Sequence, residues 1–143
     1  MAEVLVDIMN KLRTIRDTVP ELLTEIIQEN KTIIEDMNIA QLQRGQRADG
    51  EILPDYSEAS VMRYGKPPGP IKLFDTGAFY RGITANVYNN ALDMDSTDSK
   101  TALLAWRYGE EIVGLQEQNV EVLKEEIIKP GLIEKARKLL LNE

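Results

Sequence analysis

An α+β fold is predicted for this 143-residue chain, with amphipathic helices at the N-terminus, a small antiparallel sheet in the middle and helices at the C-terminus. Three observations carry that prediction. Apolar residues recur at helical spacing near both ends, turn residues cluster between residues 45 and 70, and two short apolar runs flank Asn89-Asn90. The length favours one domain, 1–143, divided into a helical arm (1–38), a long loop with a short helix (39–72), a turn and hairpin (73–98) and C-terminal helices (99–143).

Val4, Leu5, Ile8, Leu12 and Ile15 step by three and four residues while Asp7, Lys11, Arg13 and Arg16 fall on other faces, so one face of the first helix is apolar. Thr18-Val19-Pro20-Glu21 reads as a capping box with proline in the first turn of a second helix. Leu22, Leu23, Ile26, Ile27, Ile33, Ile34 and Met37 continue the stripe to about Asn38, as two helices or one long kinked one. Asp49-Gly50 is a strong turn pair, and Lys66-Pro67-Pro68-Gly69-Pro70 cannot be helical. Between them Ser57 is positioned to cap a short helix to Tyr64. A connecting region this long is functional, ordered by a partner, or a plain linker.

Ile83–Val87 and Ala91–Met94 are strand candidates, and Asn89-Asn90 tolerates the positive φ of a tight hairpin turn. Asp98 or Ser99 can cap a helix through Tyr108, which Gly109 ends. A last helical stretch from about Gln116 to Leu141 is expected to break near Pro130-Gly131, with Val120, Leu123, Ile127, Ile133, Ala136 and Leu139-Leu140 as its apolar stripe.

Composition narrows the function. Twenty-four acids against seventeen scattered bases give a net charge of −7, which disfavours a phosphate-tracking groove and sequence-specific nucleic acid as partner. The middle segment is the least acidic, and Arg44, Arg47, Arg63, Lys66 and Arg81 make it a candidate contact surface. With no cysteine there is neither a disulfide nor a thiolate, which fits synthesis in a cytoplasm. Glu3 and Asp7 interrupt the first apolar stripe, unlike a signal peptide, and no apolar run is long enough to span a membrane.

No histidine is present, which removes the usual general base and the commonest metal ligand. Asp93-x-Asp95-x-x-Asp98 superficially suggests a calcium loop, but Asp98 stands where the turn needs glycine and Leu104 where the site needs glutamate. The proline-rich segment lacks the N–H donors of a phosphate cradle. An enzyme is therefore not expected, and no catalytic residue, metal ligand or cofactor is assigned.

One stretch stands out, "KLFDTGAFYRGITANVY", residues 72–88. Asp75-Thr76-Gly77 reads as a tight turn, with the aspartate bonding the backbone ahead and glycine supplying the positive φ. Phe79 and Tyr80 follow, on opposite faces if extended or side by side on a short helix, leaving at least one for contact outside the core.

Leu73-x-Asp75-Thr76-Gly77-x-Phe79-Tyr80-Arg81-x-Ile83 resembles the L-x-x-T-G-x-L-R-x-S-I signature of tailed-bacteriophage virion morphogenesis and tail-completion proteins. Ala105-Trp106-Arg107-Tyr108-Gly109 occupies the place of that family's alanine-aromatic-x-x-x-glycine element. The segment from Arg44-Gly45 through Ala48-Asp49-Gly50-Glu51 to Tyr56-Ser57 is similar to small proteins of phages of Bacteroides-type hosts, including crAss-like phages. The resemblance covers roughly residues 38–128, with Phe79-Tyr80 in place of the usual leucine, Gly82 where serine is frequent and Arg107 where histidine is common.

The resemblance implies a virion structural protein: a ring-forming head-to-tail connector, neck adaptor or tail-terminator subunit joining the portal vertex to the tail. Its partners would be the portal or neighbouring neck and tail proteins and further copies of itself, with no membrane involved. Asp75, Thr76, Gly77, Phe79, Tyr80, Arg81, Trp106, Arg107, Tyr108 and Gly109 are the implied motif and interface residues. The proline-rich loop is expected to order on docking, and Arg81→Glu with Tyr80→Ala to block incorporation without unfolding the monomer. A phage assembly factor that leaves before the particle is finished, and a small cytosolic protein-binding module, are the alternative readings.

Overall fold

The computed structural model describes residues 2–142 and is α+β. In chain order it comprises α1 (Ala2–Glu29), α2 (Lys31–Gln43), α3 (Glu58–Tyr64), α4 (Ala78–Gly82), β1 (Ile83–Tyr88), β2 (Ala91–Ser96), α5 (Thr101–Tyr108), α6 (Glu117–Val122) and α7 (Lys129–Leu141). A 3-10 turn at Glu110–Ile112 follows α5, and a π-helical turn at Leu123–Ile128 joins α6 to α7.

The N-terminal arm breaks at Asn30, not at the capping box. The Thr18 hydroxyl donates to the carbonyls of Thr14 (2.7 Å) and Ile15 (3.1 Å), so it is spent within the preceding turn and caps nothing. Pro20 lies inside α1, where it cannot donate to the carbonyl of Arg16, a residue on the exposed side of the helix. At Asn30 the backbone N–H reaches Ile26 and Ile27 and the side chain donates to the Ile26 carbonyl at 2.8 Å, which closes α1 and lets α2 restart.

Helix α2 runs to Gln43, five residues beyond the expected end, so 39–43 belong to the helix rather than the loop. Its extension is paid for by a buried polar seam. Asn38 and Gln41 are fully buried, with Asn38 Oδ1 accepting from Gly114 N at 2.8 Å, and Gln41 Oε1 accepting from Gln116 N (2.9 Å) and Asn119 Nδ2 (2.6 Å). Gln41 Nε2 donates to the Gly114 carbonyl at 2.9 Å. A polar side chain in the core is stable only when its bonds are made, and here they stitch α2 to the chain after the 3-10 turn.

The hairpin pairs Ile83 with Ser96 through Tyr88 with Ala91, and Asn89 and Asn90 both adopt positive φ, 51° and 60°, as the sequence predicts. β2 extends two residues past Met94, to Ser96. One edge of this two-stranded sheet is closed by α2: Glu35 Oε2 accepts from Ala85 N at 2.9 Å, and Lys31 Nζ donates to Thr84 Oγ1 at 2.8 Å and to the Ala85 carbonyl.

The core lies against one face of the hairpin, the face that carries Ile83, Ala85 and Val87 with Leu92, Met94 and Ser96. Leu42, Leu53, Leu73, Phe79, Tyr80, Ile83 and Ile112 form one cluster and Ile27, Ile34, Ala85 and Leu123 the other, with Met94 packed against both. At the C-terminus Pro130 does not break the helix. The π turn widens the chain just before it, and Gly131 then meets Ile26 of α1, where a Cβ would sit 3.1 Å from Ile26 Cδ1. Lys135 fastens the contact to Glu29 (2.8 Å) and Glu25 (3.2 Å), whose carboxylates raise its pKa, Glu29 first.

The connecting region is ordered against the core within the single chain. Ser57 caps α3 by accepting from Ser60 N at 3.1 Å, as its sequence position implies. Bridges Gln46–Ile52 and Asp55–Pro70, Leu53 N to the Gly45 carbonyl (2.7 Å) and Ala48 N to the Glu111 carbonyl (2.7 Å) pin the remainder around the buried Leu53. The backbone N–H groups of Gly45, Ala48, Leu53, Tyr56 and Ile71 thus find their acceptors within the single chain.

Candidate interaction surface

The signature turn is built from backbone constraints. Leu73 is buried and carries a positive φ of 53°, an uncommon conformation for a branched residue. It is held because the adjacent Lys72 peptide is gripped from both ends: Lys72 N donates to the Tyr56 hydroxyl at 3.1 Å, and the Tyr80 hydroxyl donates to the Lys72 carbonyl. Gly77 follows at φ 83°, with the Arg81 guanidinium 2.8 Å and the Phe74 ring 3.1 Å from where a Cβ would stand. Only glycine meets both demands.

The turn's hydrogen bonds differ from those the sequence suggests. Thr76 Oγ1, rather than the aspartate, accepts from the backbone ahead, at Ala78 N (3.3 Å). Asp75 instead reaches Lys100 at 3.5 Å across an exposed gap to the start of α5. Arg81 donates to the Thr76 carbonyl at 3.1 Å and so folds back over its own turn.

Phe79 and Tyr80 lie side by side on α4 and both are buried, so the expectation that one of them reaches outside the core is overturned. Tyr80 packs edge-on to Phe74, with ring centroids 5.3 Å apart. Burial, and then the neighbouring Tyr56, push the Tyr80 phenol up to about 12. Replacing Tyr80 by alanine would open the core, which makes that substitution unsuitable as a surface test.

Gly82, where the resembled family often has serine, has a local explanation. A Cβ there would stand 2.6 Å from Ser96 Oγ, which donates to the Phe79 carbonyl at 3.0 Å. The glycine lets α4 pack closely against the end of β2.

Several large apolar side chains are exposed on α3, the turn and α5. Phe74, Met62, Tyr64 and Trp106 are exposed, Trp106 at 83%. A cavity of about 240 Å³ between the turn and α5 is lined by Tyr56, Leu73, Phe74, Asp75, Leu104 and Tyr108. Beside it a wider groove of about 910 Å³ runs between Ile52, Tyr56 and the end of α5 at Arg107, Tyr108 and Gly109.

Tyr56 touches both depressions. It supplies the hydroxyl under Lys72, and Lys66 Nζ lies 5.8 Å from its ring centroid while donating to the Phe74 carbonyl at 2.8 Å. No protein-family model, curated protein or solved structure matches this chain.

The predicted site residues thus divide into three groups, with Gly109 apart. Phe79, Tyr80 and Gly77 are structural and buried. Asp75, Thr76 and Arg81 form the exposed turn, and Tyr108 flanks it across the smaller cavity. Trp106 and Arg107 are exposed on α5, the Arg107 guanidinium lying 5.6 Å from the Tyr108 ring centroid. Gly109 ends α5 at φ 94°, where Arg47 donates to the Tyr108 carbonyl at 3.0 Å.

Arg47, proposed for the basic surface, is half-buried and bidentate to Asp49, so its charge is already matched. Arg44 and Arg63 are exposed. Tyr56 and Phe74 are the residues that sequence reasoning did not select. An aromatic inside a turn-rich stretch was the available signal, since such a residue needs a tertiary reason to be there.

Among the described residues no three acidic side chains converge on a point, and no helix is long and apolar enough to cross a membrane.

Proposed function

We propose that the chain is a structural subunit of a tailed-phage particle, placed in the portal-proximal neck and assembling as a ring with its neighbours. The observation that carries this reading is the large apolar side chains left in solvent on α3, the signature turn and α5: Met62, Tyr64, Phe74 and Trp106 are each at least half exposed. Aromatic and methionine side chains are over-represented where protein surfaces meet. A closed ring needs two different complementary faces on each copy, and the exposed apolar half of α1 supplies a second one away from this cluster. Virion localisation, after synthesis in the host cytoplasm, follows from the same proposal.

The test is quantitative mass spectrometry of gradient-purified particles. The chain is expected at a fixed ratio to the portal protein. Its absence from intact infectious particles would remove the neck reading and leave an assembly factor that departs, or a protein unrelated to phage.

One observation favours a second reading, a small protein-binding module. Residues 45–70 are ordered in the single chain, with Leu53 buried and both isolated bridges formed, so no assembly step is needed to fold them. Trp106→Ala with Arg107→Glu tests whether α5 is the contact in the particle. Both residues are exposed, so the thermal midpoint should hold while incorporation into particles falls; unchanged incorporation would exclude α5 as the contact.

A further inference from the structure

The first half of α1 presents an apolar seam that nothing in the fold covers. Leu5, Ile8, Leu12, Ile15, Val19, Leu22 and Ile26 alternate three- and four-residue steps, the spacing of a coiled-coil contact line. Leu22 and Ile26 are buried against the body of the protein. No residue from Ala2 to Val19 is buried, and Val4, Leu5, Ile8, Met9 and Leu12 are each between 41 and 58% exposed.

We propose that in solution two copies of the chain pair through this segment, antiparallel, about a two-fold axis near residue 10. Three features select that occupant and orientation. The exposed seam runs from Leu5 to Leu12 and is continued by the half-buried Ile15; reversing one copy about residue 10 sets Leu5 opposite Ile15 and Ile8 opposite Leu12 of the other, so each exposed seam residue gains an apolar neighbour.

The charges are segregated along the helix. Glu3 and Asp7 give its first half a net charge of −2, and Lys11, Arg13 and Arg16 with Asp17 give its second half +2, so an antiparallel copy lays the net acidic half along the net basic half within a screening length, whereas a parallel copy lays like on like. Lys11 keeps its own Asp7 at 3.4 Å, and Asp17 is paired with Arg16 at 2.9 Å. Opposed helix dipoles add to the preference.

Beyond Val19 the seam passes under the protein's own body. Antiparallel copies therefore carry their bodies at opposite ends of the pair, while parallel copies would bring them together where the seam closes. A two-fold contact is self-closing, so it describes the free chain and does not rest on the particle reading.

Sedimentation equilibrium of the full chain tests the pairing. Such a contact is smaller than a standard interface, so the dimer is expected at roughly 100 µM and to dissociate on dilution to the low micromolar range. Its mass should be twice the 16.2 kDa of the chain. Ile8→Asp should remain monomeric at the higher concentration with its thermal midpoint unchanged.

Orientation is read by cysteine pairing, since the chain has no cysteine of its own. A mixture of Ile8→Cys and Leu12→Cys chains under mild oxidation should give chiefly the mixed 8–12 disulfide. A wild-type chain that stays monomeric, an oligomer indifferent to Ile8→Asp, or a yield dominated by 8–8 and 12–12 pairs would each overturn the proposal.

Discussion

Tyr80 shows how one residue converts sequence into both fold and pH response. Its ring fills the core, and its hydroxyl donates to the Lys72 carbonyl beside the positive φ of Leu73. Tyr80→Phe keeps the ring and deletes the bond, so it is expected to cost about 1 kcal/mol in a chemical denaturation experiment. The phenol has a folded-state pKa of about 12 against an ordinary value near 10. The native state therefore retains the proton that the unfolded state loses. This stabilisation is complete below pH 10 and disappears as pH rises from 10 to 12. The wild-type midpoint should fall more steeply than that of Tyr80→Phe across this window.

Gly77 belongs to the same scale. Gly77→Ala forces a Cβ to within 2.8 Å of the Arg81 guanidinium at a φ of 83°, and a loss of about 1–2 kcal/mol is expected in thermal or denaturant melts. That glycine sits in a turn was legible from Asp75-Thr76-Gly77. That the threonine rather than the aspartate makes the turn's hydrogen bond was not, because both side chains can cap such a turn and Asp75 instead reaches Lys100, twenty-five residues on.

Among elements, α3 and the hairpin turn were read well from local chemistry, whereas neither Asp98 nor Ser99 caps α5, whose N-cap position is Lys100 with no side-chain hydrogen bond. α3 begins where Ser57 places it, and the hairpin turns where Asn89-Asn90 allow it. Ser57→Ala should remove the cap and cost about 1 kcal/mol of local stability, seen as faster amide exchange in residues 60–64 with little change at the core. Elements whose ends are set by other parts of the chain were misread. Thr18-Val19-Pro20-Glu21 has the spacing of a cap, yet α1 runs through it and Thr18 bonds backwards. Pro130-Gly131 has the composition of a break, yet the π turn before it and the close approach of Ile26 keep the helix continuous.

At the scale of the whole molecule, the junction of α2 with the segment after the 3-10 turn is the least predictable feature and an important tie. Asn38 and Gln41 look like surface residues in sequence, but they are fully buried and bonded to Gly114, Gln116 and Asn119. Gln41→Leu leaves the Gly114 carbonyl and the Gln116 N–H without these partners. A loss of about 2–3 kcal/mol is expected in equilibrium unfolding, more than for a typical exposed glutamine. A variant as stable as wild type would show that this seam contributes little.

By itself the sequence determined the helix, hairpin and turn content, because spacing, capping and positive-φ preferences act over a few residues. It also marked the signature stretch as a constrained turn. Tertiary structure alone decided that Phe79 and Tyr80 belong to the core, that Tyr56 and Phe74 flank the cavity, and that residues 45–70 are pinned. Burial and hydrogen-bond partnership join positions tens of residues apart: Tyr56 reaches Lys72, Ala48 reaches Glu111 and Gln41 reaches Asn119 only once the chain has closed on itself.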